Sequence, residues 1–304
     1  MKAEHRKVCV ILSTYNGEKY ISQLVESVLN QIEVDVEIFV RDDGSTDSTI
    51  DILKNFKDSR IKITKGKNLK PAQSFLAALR NCQSADYYAY CDQDDVWYPN
   101  KLVTAINAIE NTGISEPVLY MSTYDVVDSN LKKIMTFDMH YEKTHSLGET
   151  IVYRSPSGCT MVFNHALKQI ISRERPDYIR MHDFWTLMIA ESMHFKIITE
   201  SVPLIMYRQH ENSTVGITPT RLTRLKRLIK SATKGNNERW RQAKCLYDCY
   251  RNDLPDDSKD LLETVVFYRK SFHNRFKLMN DKRFHAGETY ANILFKVSVL
   301  MGLF

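Results

Sequence analysis

Tyr87-Tyr88-Ala89-Tyr90-Cys91-Asp92-Gln93-Asp94-Asp95-Val96-Trp97 joins an uninterrupted apolar run to a turn rich in carboxylates. A run of this length with no polar alternation reads as a strand buried on both faces. Two similar runs precede it, over residues 8–14 and 36–40, and residues 61–64 read as a third strand. Between them, residues 18–31 place Tyr20, Ile21, Leu24, Val25, Val28 and Leu29 on one helical face. Residues 50–56 form a second helix that Thr46 or Asp47 can cap, and residues 71–82 a third, with Pro71 in its first turn. Strand and helix thus alternate four times, which predicts βαβ units, a mainly parallel sheet and ligands gathered at the carboxyl ends of its strands. Those ends collect Asp42 and Asp43 after the second strand and Asp92, Asp94 and Asp95 after the fourth. Such a concentration of carboxylates wants a cation. Neither G-x-G-x-x-G after the first strand nor G-x-x-x-x-G-K-[ST] anywhere is present, which disfavours a dinucleotide fold and a P-loop.

The chain has 304 residues, 43% hydrophobic and 26% charged, enough for one large or two ordinary domains and incompatible with general disorder. Ten Gly and eight Pro exclude fibrous repeats. No apolar run approaches the length of a membrane span, and the polar start carries no signal-like segment, so a chain neither exported nor integral to a membrane is expected. Six cysteines without a C-x-x-C pair read as reduced thiols of a cytosolic chain. Cys245 and Cys249, one helical turn apart, suit two core thiols better than metal ligands. Residues 1–216 hold 24 basic and 28 acidic side chains, residues 217–304 hold 18 and 9. The net charge of +5 therefore conceals an acidic part and a strongly basic one.

Asp92 and Asp94, alternate carboxylates on a short turn, can reach one divalent ion, Mg²⁺ or Mn²⁺, whose shell substrate phosphate and water would complete. A solvated acidic loop before the helix beginning near Pro99 is the plainer alternative. Taken with Ser13-Thr14-Tyr15-Asn16 and Asp42-Asp43-Gly44-Ser45-Thr46-Asp47, the Asp92-x-Asp94 motif resembles the inverting family 2 glycosyltransferases of GT-A fold. The resemblance covers about residues 6–213. It implies a nucleotide-diphosphate-sugar donor. Thr14, Tyr15 and one or both of Asp42 and Asp43 would contact the nucleoside, while Asp92 and Asp94 hold the diphosphate through the metal.

Later motifs fit the same resemblance. Ser157-Gly158-Cys159-Thr160-Met161-Val162-Phe163 looks like the small-residue turn and strand walling the sugar and acceptor site, or simply a strand after a turn. His182-Asp183-Phe184-Trp185 occupies the place of the family's general base, usually Glu-Asp. Replacement of the first carboxylate by His resembles the branch of bacterial rhamnosyltransferases. Asp183 matches the base, which must accept the proton of a weakly acidic sugar hydroxyl. By local pattern alone Asp183 reads at least as readily as the N-cap of a helix over residues 184–193. Tyr207-Arg208-Gln209-His210 follows a strand-like run over 204–207 and resembles a closing motif whose Arg faces the diphosphate and whose His adds a metal ligand. Trp97 either stacks on a sugar or anchors the helix near Pro99.

Residues 221–244 carry nine Lys or Arg and one acid, Glu238. Leu222, Leu225, Leu228 and Ile229 keep helical spacing, flanked by Arg224, Arg227 and Lys230. That composition suits a helix on an anionic membrane surface, or a solvated helix packed by its leucines. No nucleic-acid motif accompanies it, so no nucleic-acid partner is expected. Residues 293–304 are too short to span a bilayer and suit a second interfacial or core-docking element.

The reading is a GT-A catalytic domain over 1–216 with a mainly parallel α/β sheet, followed by a helical, basic extension over 217–304. The expected reaction is metal-dependent, inverting sugar transfer, with Arg208 and the metal stabilising the leaving diphosphate and Asp183 as base. The Asp-Gln-Asp-Asp-Val-Trp and His-Asp-Phe-Trp variants look most like rhamnosyltransferases using dTDP-rhamnose. UDP-glucose or UDP-galactose transfer is the rival. The expected acceptor is a lipid-linked (polyprenyl diphosphate) glycan or polysaccharide of O-antigen or capsule synthesis. The enzyme would then be cytoplasmic and peripheral on the inner face of the cell membrane. A turnover-free glycan-binding scaffold is a rival of another class. So is a nucleotidyltransferase, although residues 13–19 lack the basic Gly-rich loop it needs.

Overall fold

The computed structural model describes residues 6–137, 146–153, 156–209 and 237–304. In its first half, β1 (Arg6–Thr14), α1 (Ile21–Leu29), β2 (Val34–Asp42), α2 (Thr49–Asn55), β3 (Ile61–Lys65), α3 (Lys70–Asn81) and β4 (Tyr87–Cys91) alternate as the hydrophobic pattern predicts. The strands β3-β2-β1-β4 lie side by side and parallel. Register then does the work of assembly. Thr14 pairs with Asp42, and Leu12 with Cys91, so the residues that follow each strand emerge together at one edge. Val8, Val10, Ile11, Ile38, Val40, Ala89 and Tyr90 are fully buried, which accounts for the lack of alternation in these runs.

The capping expectation for α2 is corrected in detail. Its N-cap is Ser48, while the Asp47 carboxylate accepts the Thr49 amide (3.1 Å) and the Glu18 amide (3.0 Å). Thr46 instead donates its amide to Asn16 Oδ1 at 2.9 Å. These bonds stitch the loop after β1 to the loop after β2.

The chain continues through β5 (Val96–Trp97), α4 (Lys101–Glu110), β6 (Val118–Val127), β7 (Lys133–Phe137), α5 (Leu147–Val152), a 3₁₀ turn (Gly158–Thr160), β8 (Val162–Asn164), α6 (His165–Arg173), α7 (His182–Ser192) and β9 (Lys196–Arg208). Here the sheet becomes mixed. β8 is antiparallel to β4 and β6, β9 is parallel to β6, and β5 closes the order as an antiparallel partner of β9. The strand expected over 204–207 is the end of a 13-residue strand. Its first half is only partly buried, so polar residues interrupt the hydrophobic signal, and register shifts near Ser122 and Thr123 of β6 absorb its irregularity.

Every residue of α7 is buried, polar His182, Asp183, Thr186, Glu191 and Ser192 included, so it is enclosed on all sides rather than lying at the surface. Part of its cover comes from α8 (Glu238–Tyr250), the first of four C-terminal helices that continue as α9 (Asp256–Val266), α10 (Phe272–Asn280) and α11 (Thr289–Leu300); α3, α5 and α6 and the strands β6 and β9 supply the rest. Tyr250 packs its ring on Trp185 with centroids 6.0 Å apart, and buried Gln242 accepts the Arg180 amide. Arg239 donates to the carbonyls of Thr150, Ile151 and Tyr153 (3.0, 3.1 and 3.0 Å), satisfying the open end of α5, and its guanidinium lies 5.4 Å from the Phe184 ring centre. One continuous hydrophobic cluster runs from β1 to Phe304. All six cysteines are free thiols, four buried and Cys245 and Cys249 half-buried. No described helix is long and apolar enough to cross a membrane. The leucine stripe of 222–229 with Arg224, Arg227 and Lys230 lies outside the described residues.

Candidate active site

At the edge where β1, β2 and β4 end, Asp42 is buried and organises the turn that follows it. Its Oδ1 accepts the hydroxyls of Thr14 (3.1 Å) and Ser45, and its Oδ2 the amides of Gly44 (3.0 Å) and Ser45 (2.9 Å). Four donors fill the acceptor directions of one carboxylate. Asp43, also buried, pairs with Arg41 and accepts from Ser74 Oγ (2.8 Å) and the Leu69 amide (2.9 Å). Gly44 sits at φ 89°, where only glycine is unstrained. Tyr15 stands half exposed beside this turn and is tied across to the acidic loop: its amide donates to Gln93 Oε1 (3.0 Å) and its carbonyl accepts from Gln93 Nε2 (3.2 Å). Nothing in the sequence pattern singles out Gln93 for this clamp, because a glutamine between aspartates carries no periodic signal.

Asp92 follows the last residue of β4 and Asp94 lies two residues on, both partly exposed. Asp95 is fully buried and accepts the Arg208 amide at 3.1 Å. Ligand atoms of Asp92, Asp95 and Cys159 lie within 4.8 Å of one another. Burial, then the charges of Asp94 and Asp183, push the Asp92 carboxyl up to about 7, and burial with Asp94 and Asp92 raises Asp95 well above the ordinary range. Beneath them Lys101 is buried with Nζ 3.3 Å from the Trp97 ring centre. Burial lowers its ammonium to about 8, against the opposing pull of Cys91, Cys159 and Asp95. Trp97 is thus a packed anchor, 2% exposed, and not a sugar platform.

Arg208 closes β9 under the same loop. Its Nε donates to the Asp94 carbonyl (2.8 Å), Nη1 to the Ser129 carbonyl (2.6 Å) and Nη2 to Gln23 Oε1 (2.7 Å), and it lies 4.3 Å from the Tyr20 ring centre. The guanidinium is therefore directed into the protein and holds the acidic turn by its backbone. His210 lies outside the described residues.

Asp183 comes from 88 positions after Asp95 in the chain, yet its charge is felt at Asp92. It is not the helix cap: α7 begins at His182, with Met181 as N-cap, and Asp183 occupies the first turn. Its Oδ1 accepts the Phe184 amide (2.6 Å) and its Oδ2 the Gly158 amide (3.1 Å), so the small-residue turn expected over 157–163 holds the carboxylate from across the site. Burial raises its pKa to about 6, the two amides pulling the other way. His182 stacks on Phe75 (centroids 3.7 Å) and meets the edge of Tyr90 (4.6 Å); burial lowers its pKa to about 3, so it is neutral. Gly158 is required at its position, since a Cβ there would collide with His182 Nε2 and stand 3.2 Å from the Asp183 Cβ.

A parallel sheet edge bearing an Asp-x-Asp turn opposite a buried carboxylate on a second element fits a transferase of the GT-A fold. The chain belongs to glycosyl transferase family 2, whose sequence pattern matches residues 9–170. It is similar to the dTDP-rhamnosyl transferase RfbG of Shigella flexneri, 28% identical over 239 residues, which span 71% of this chain and 78% of that one. It is also similar to the UDP-Glc:alpha-D-GlcNAc-diphosphoundecaprenol beta-1,3-glucosyltransferase WfgD of Escherichia coli, 32% identical over 123 residues, 40% of this chain and 47% of that one. Among solved structures, S. aureus TarS 1-349 in complex with UDP-GlcNAc superposes with a TM-score of 0.59 at 19% identity, covering 98% of this chain and 90% of that chain.

Proposed function

We propose that this protein transfers a sugar, with inversion, from a nucleotide-diphosphate donor to a hydroxyl of a lipid-linked or polysaccharide acceptor in bacterial surface-glycan synthesis. The observation that carries the reading is the placement of Asp183, buried, held by two amides and raised to about 6, within electrostatic reach of Asp92. A carboxylate poised near neutrality is suited to accept a proton from a hydroxyl as that oxygen attacks the anomeric carbon. Attack from the Asp183 side displaces the diphosphate on the opposite side, which inverts the configuration.

Asp92 and Asp94 offer hard oxygen ligands on a partly exposed turn, and Asp92 is shifted upward by burial and by the neighbouring charges of Asp94 and Asp183, against the pull of Lys101. That donor set fits Mg²⁺ or Mn²⁺. When bound, such an ion supplies charge neutralisation for the leaving diphosphate. His210 is proposed as a further ligand. Thr14, Tyr15, Asp42 and Asp43 are proposed to line the nucleoside pocket, Tyr15 by its exposed ring and Asp42 by ordering the turn of Gly44 and Ser45. Arg208 acts as a positioning residue, through its bonds to the acidic loop.

The relative RfbG, named for dTDP-rhamnosyl transfer, supports dTDP-rhamnose as donor, and the relative WfgD, named for UDP-Glc and a diphosphoundecaprenol-linked sugar, supports a polyprenyl-linked acceptor and keeps UDP-glucose as the rival donor. The proposed division is a catalytic part over 1–216 and a helical extension over 217–304, working on the inner face of the membrane where such acceptors are assembled. The test is nucleotide release from a panel of dTDP- and UDP-sugars with a polyprenyl-linked acceptor. Turnover is expected with one donor, lost in EDTA and in Asp94→Asn. Donor binding without turnover across the panel would favour the scaffold reading.

A further inference from the structure

The helices α10 and α11 form a hairpin that buries one face and leaves the other bare. Leu278 of α10 and Ala291, Phe295 and Val299 of α11 face the core. On the opposite arcs Phe272 is 70% exposed, Phe276 55%, Ile293 57% and Met301 62%, with Val297 and Leu300 also exposed. Isolated exposed apolar side chains need no explanation, but five on two adjoining helices, with Met301 just past the end of α11, form a patch of the kind that marks an interaction surface. Arg275 fastens the pair by donating to the Leu300 carbonyl at 2.8 Å.

We propose that this hairpin face is the docking surface for an anionic lipid bilayer, resting on the reading above that the acceptor is membrane-linked. Charge selects the occupant. Residues 268–304 carry seven Lys or Arg and two acids; Lys277 and Arg283 are paired with Asp260, and Arg283 also with Asp281, while Lys270 just before α10 and Lys296 on α11 are exposed. A second copy of the chain would bring two such positive surfaces together, which like charges oppose, whereas phosphate headgroups complement them. Each helix is far shorter than a bilayer is thick, so the face lies in the interface and does not cross it. The hairpin also adjoins the catalytic machinery. The Arg283 carbonyl packs so closely on Gly148 of α5 that no Cβ would fit there, and Thr150 of α5 donates to Glu191 of α7 at 2.9 Å. Docking through α10 and α11 therefore fixes how the helix carrying Asp183 is presented to a lipid-linked hydroxyl.

The test is co-sedimentation of the full chain with vesicles of phosphatidylcholine alone or mixed equally with phosphatidylglycerol, at low and high salt. The parent is expected to bind the anionic vesicles about tenfold better than the neutral ones, and high salt to release part of it. The triple variant Phe272→Ser, Phe276→Ser, Ile293→Ser should lose about tenfold or more of that binding while its melting temperature and donor binding stay those of the parent. Lys270→Glu with Lys296→Glu, at exposed positions that cannot disturb the core, should weaken binding to anionic vesicles alone. Failure of the parent to sediment, or sedimentation of the triple variant like the parent, overturns the proposal. So does a dimer in solution that the triple variant converts to monomer, which would make a second copy the occupant. Donor turnover is measured separately, so a chain that binds vesicles and turns over no donor would refute the sugar-transfer reading alone.

Discussion

Asp183 shows what one buried carboxylate costs and what it does. Its ordinary pKa of 3.8 is lifted to about 6, so the folded state holds the proton more tightly than the unfolded chain. Ionisation therefore subtracts stability: nothing below about pH 4, progressively between 4 and 6, and fully above 6, on the order of 3 kcal/mol. Asp183→Asn should lower turnover by roughly 10²-fold or more with donor binding intact. Its stability relative to the parent should also shift in the variant's favour as pH rises from 4 to 8. Parallel thermal melts across that range check the second point, and a pH-independent difference would mean that the carboxyl is not perturbed. The parent's turnover should fall tenfold per pH unit below about 6, in contrast to a limb near 4 for an ordinary aspartate. Gly158→Ala should act on the same group from the other side, because its Cβ must displace His182 or Asp183. Turnover is expected to drop about tenfold or more with donor KM nearly unchanged, and a destabilisation of about 1–3 kcal/mol should accompany it.

At the scale of elements, the strands β1, β2 and β4 were legible because each is largely buried and so appears as an apolar run, whereas β3, none of whose residues is buried, rests on Ile61 and Ile63 alone; the Asp-x-Asp turn was legible because it follows β4 directly. β6 and β7 went unread, as did the first half of β9. β7 is exposed along its whole length and β9 half-buried at its start, so neither has the apolar continuity that betrays a central strand. Of the site, the carboxylates and Asp183 were readable from motif order. Gln93, Lys101 and the meeting of Asp95 with Cys159 were not, since each depends on pairing between segments far apart in the chain. Arg208 illustrates the difference: its type and place are visible in the sequence, but its service to the Asp94 carbonyl, the Ser129 carbonyl and Gln23 appears only in the fold. Arg208→Gln leaves those acceptors and the loop without their donor. We expect a loss of about 3 kcal/mol in stability and a rise in donor KM that exceeds any fall in kcat. Denaturant unfolding together with donor titration checks both, and a variant as stable as the parent would show that the loop is held by other contacts.

At the scale of the molecule, the charge asymmetry separates two parts of the sequence that the core joins. All of α7 is buried, and part of that burial is supplied by α8 through Tyr250 on Trp185, by Gln242 on the Arg180 amide, and by Arg239 across the end of α5 onto Phe184. Arg239 belongs by sequence to the basic stretch, yet it is spent inside the protein, capping three carbonyls beside the helix that presents Asp183. A chain ending at residue 236 would expose that surface and leave the α5 carbonyls without their donor. Uncovering even a few fully buried side chains forfeits about 1.5–3 kcal/mol for each, which for this many exceeds the margin of about 5–15 kcal/mol by which domains are stable. The shortened chain is therefore expected to aggregate or to melt without a cooperative transition, although it retains every residue of the proposed donor site. The graded test is Arg239→Met, which keeps the bulk of the side chain and removes only the donors. It should lower stability by about 3 kcal/mol or more and reduce turnover through misplacement of α7, with the donor KM held near that of the parent. If the shortened chain folds cooperatively and turns over donor, the extension is an accessory to the catalytic part and Asp183 is held without it.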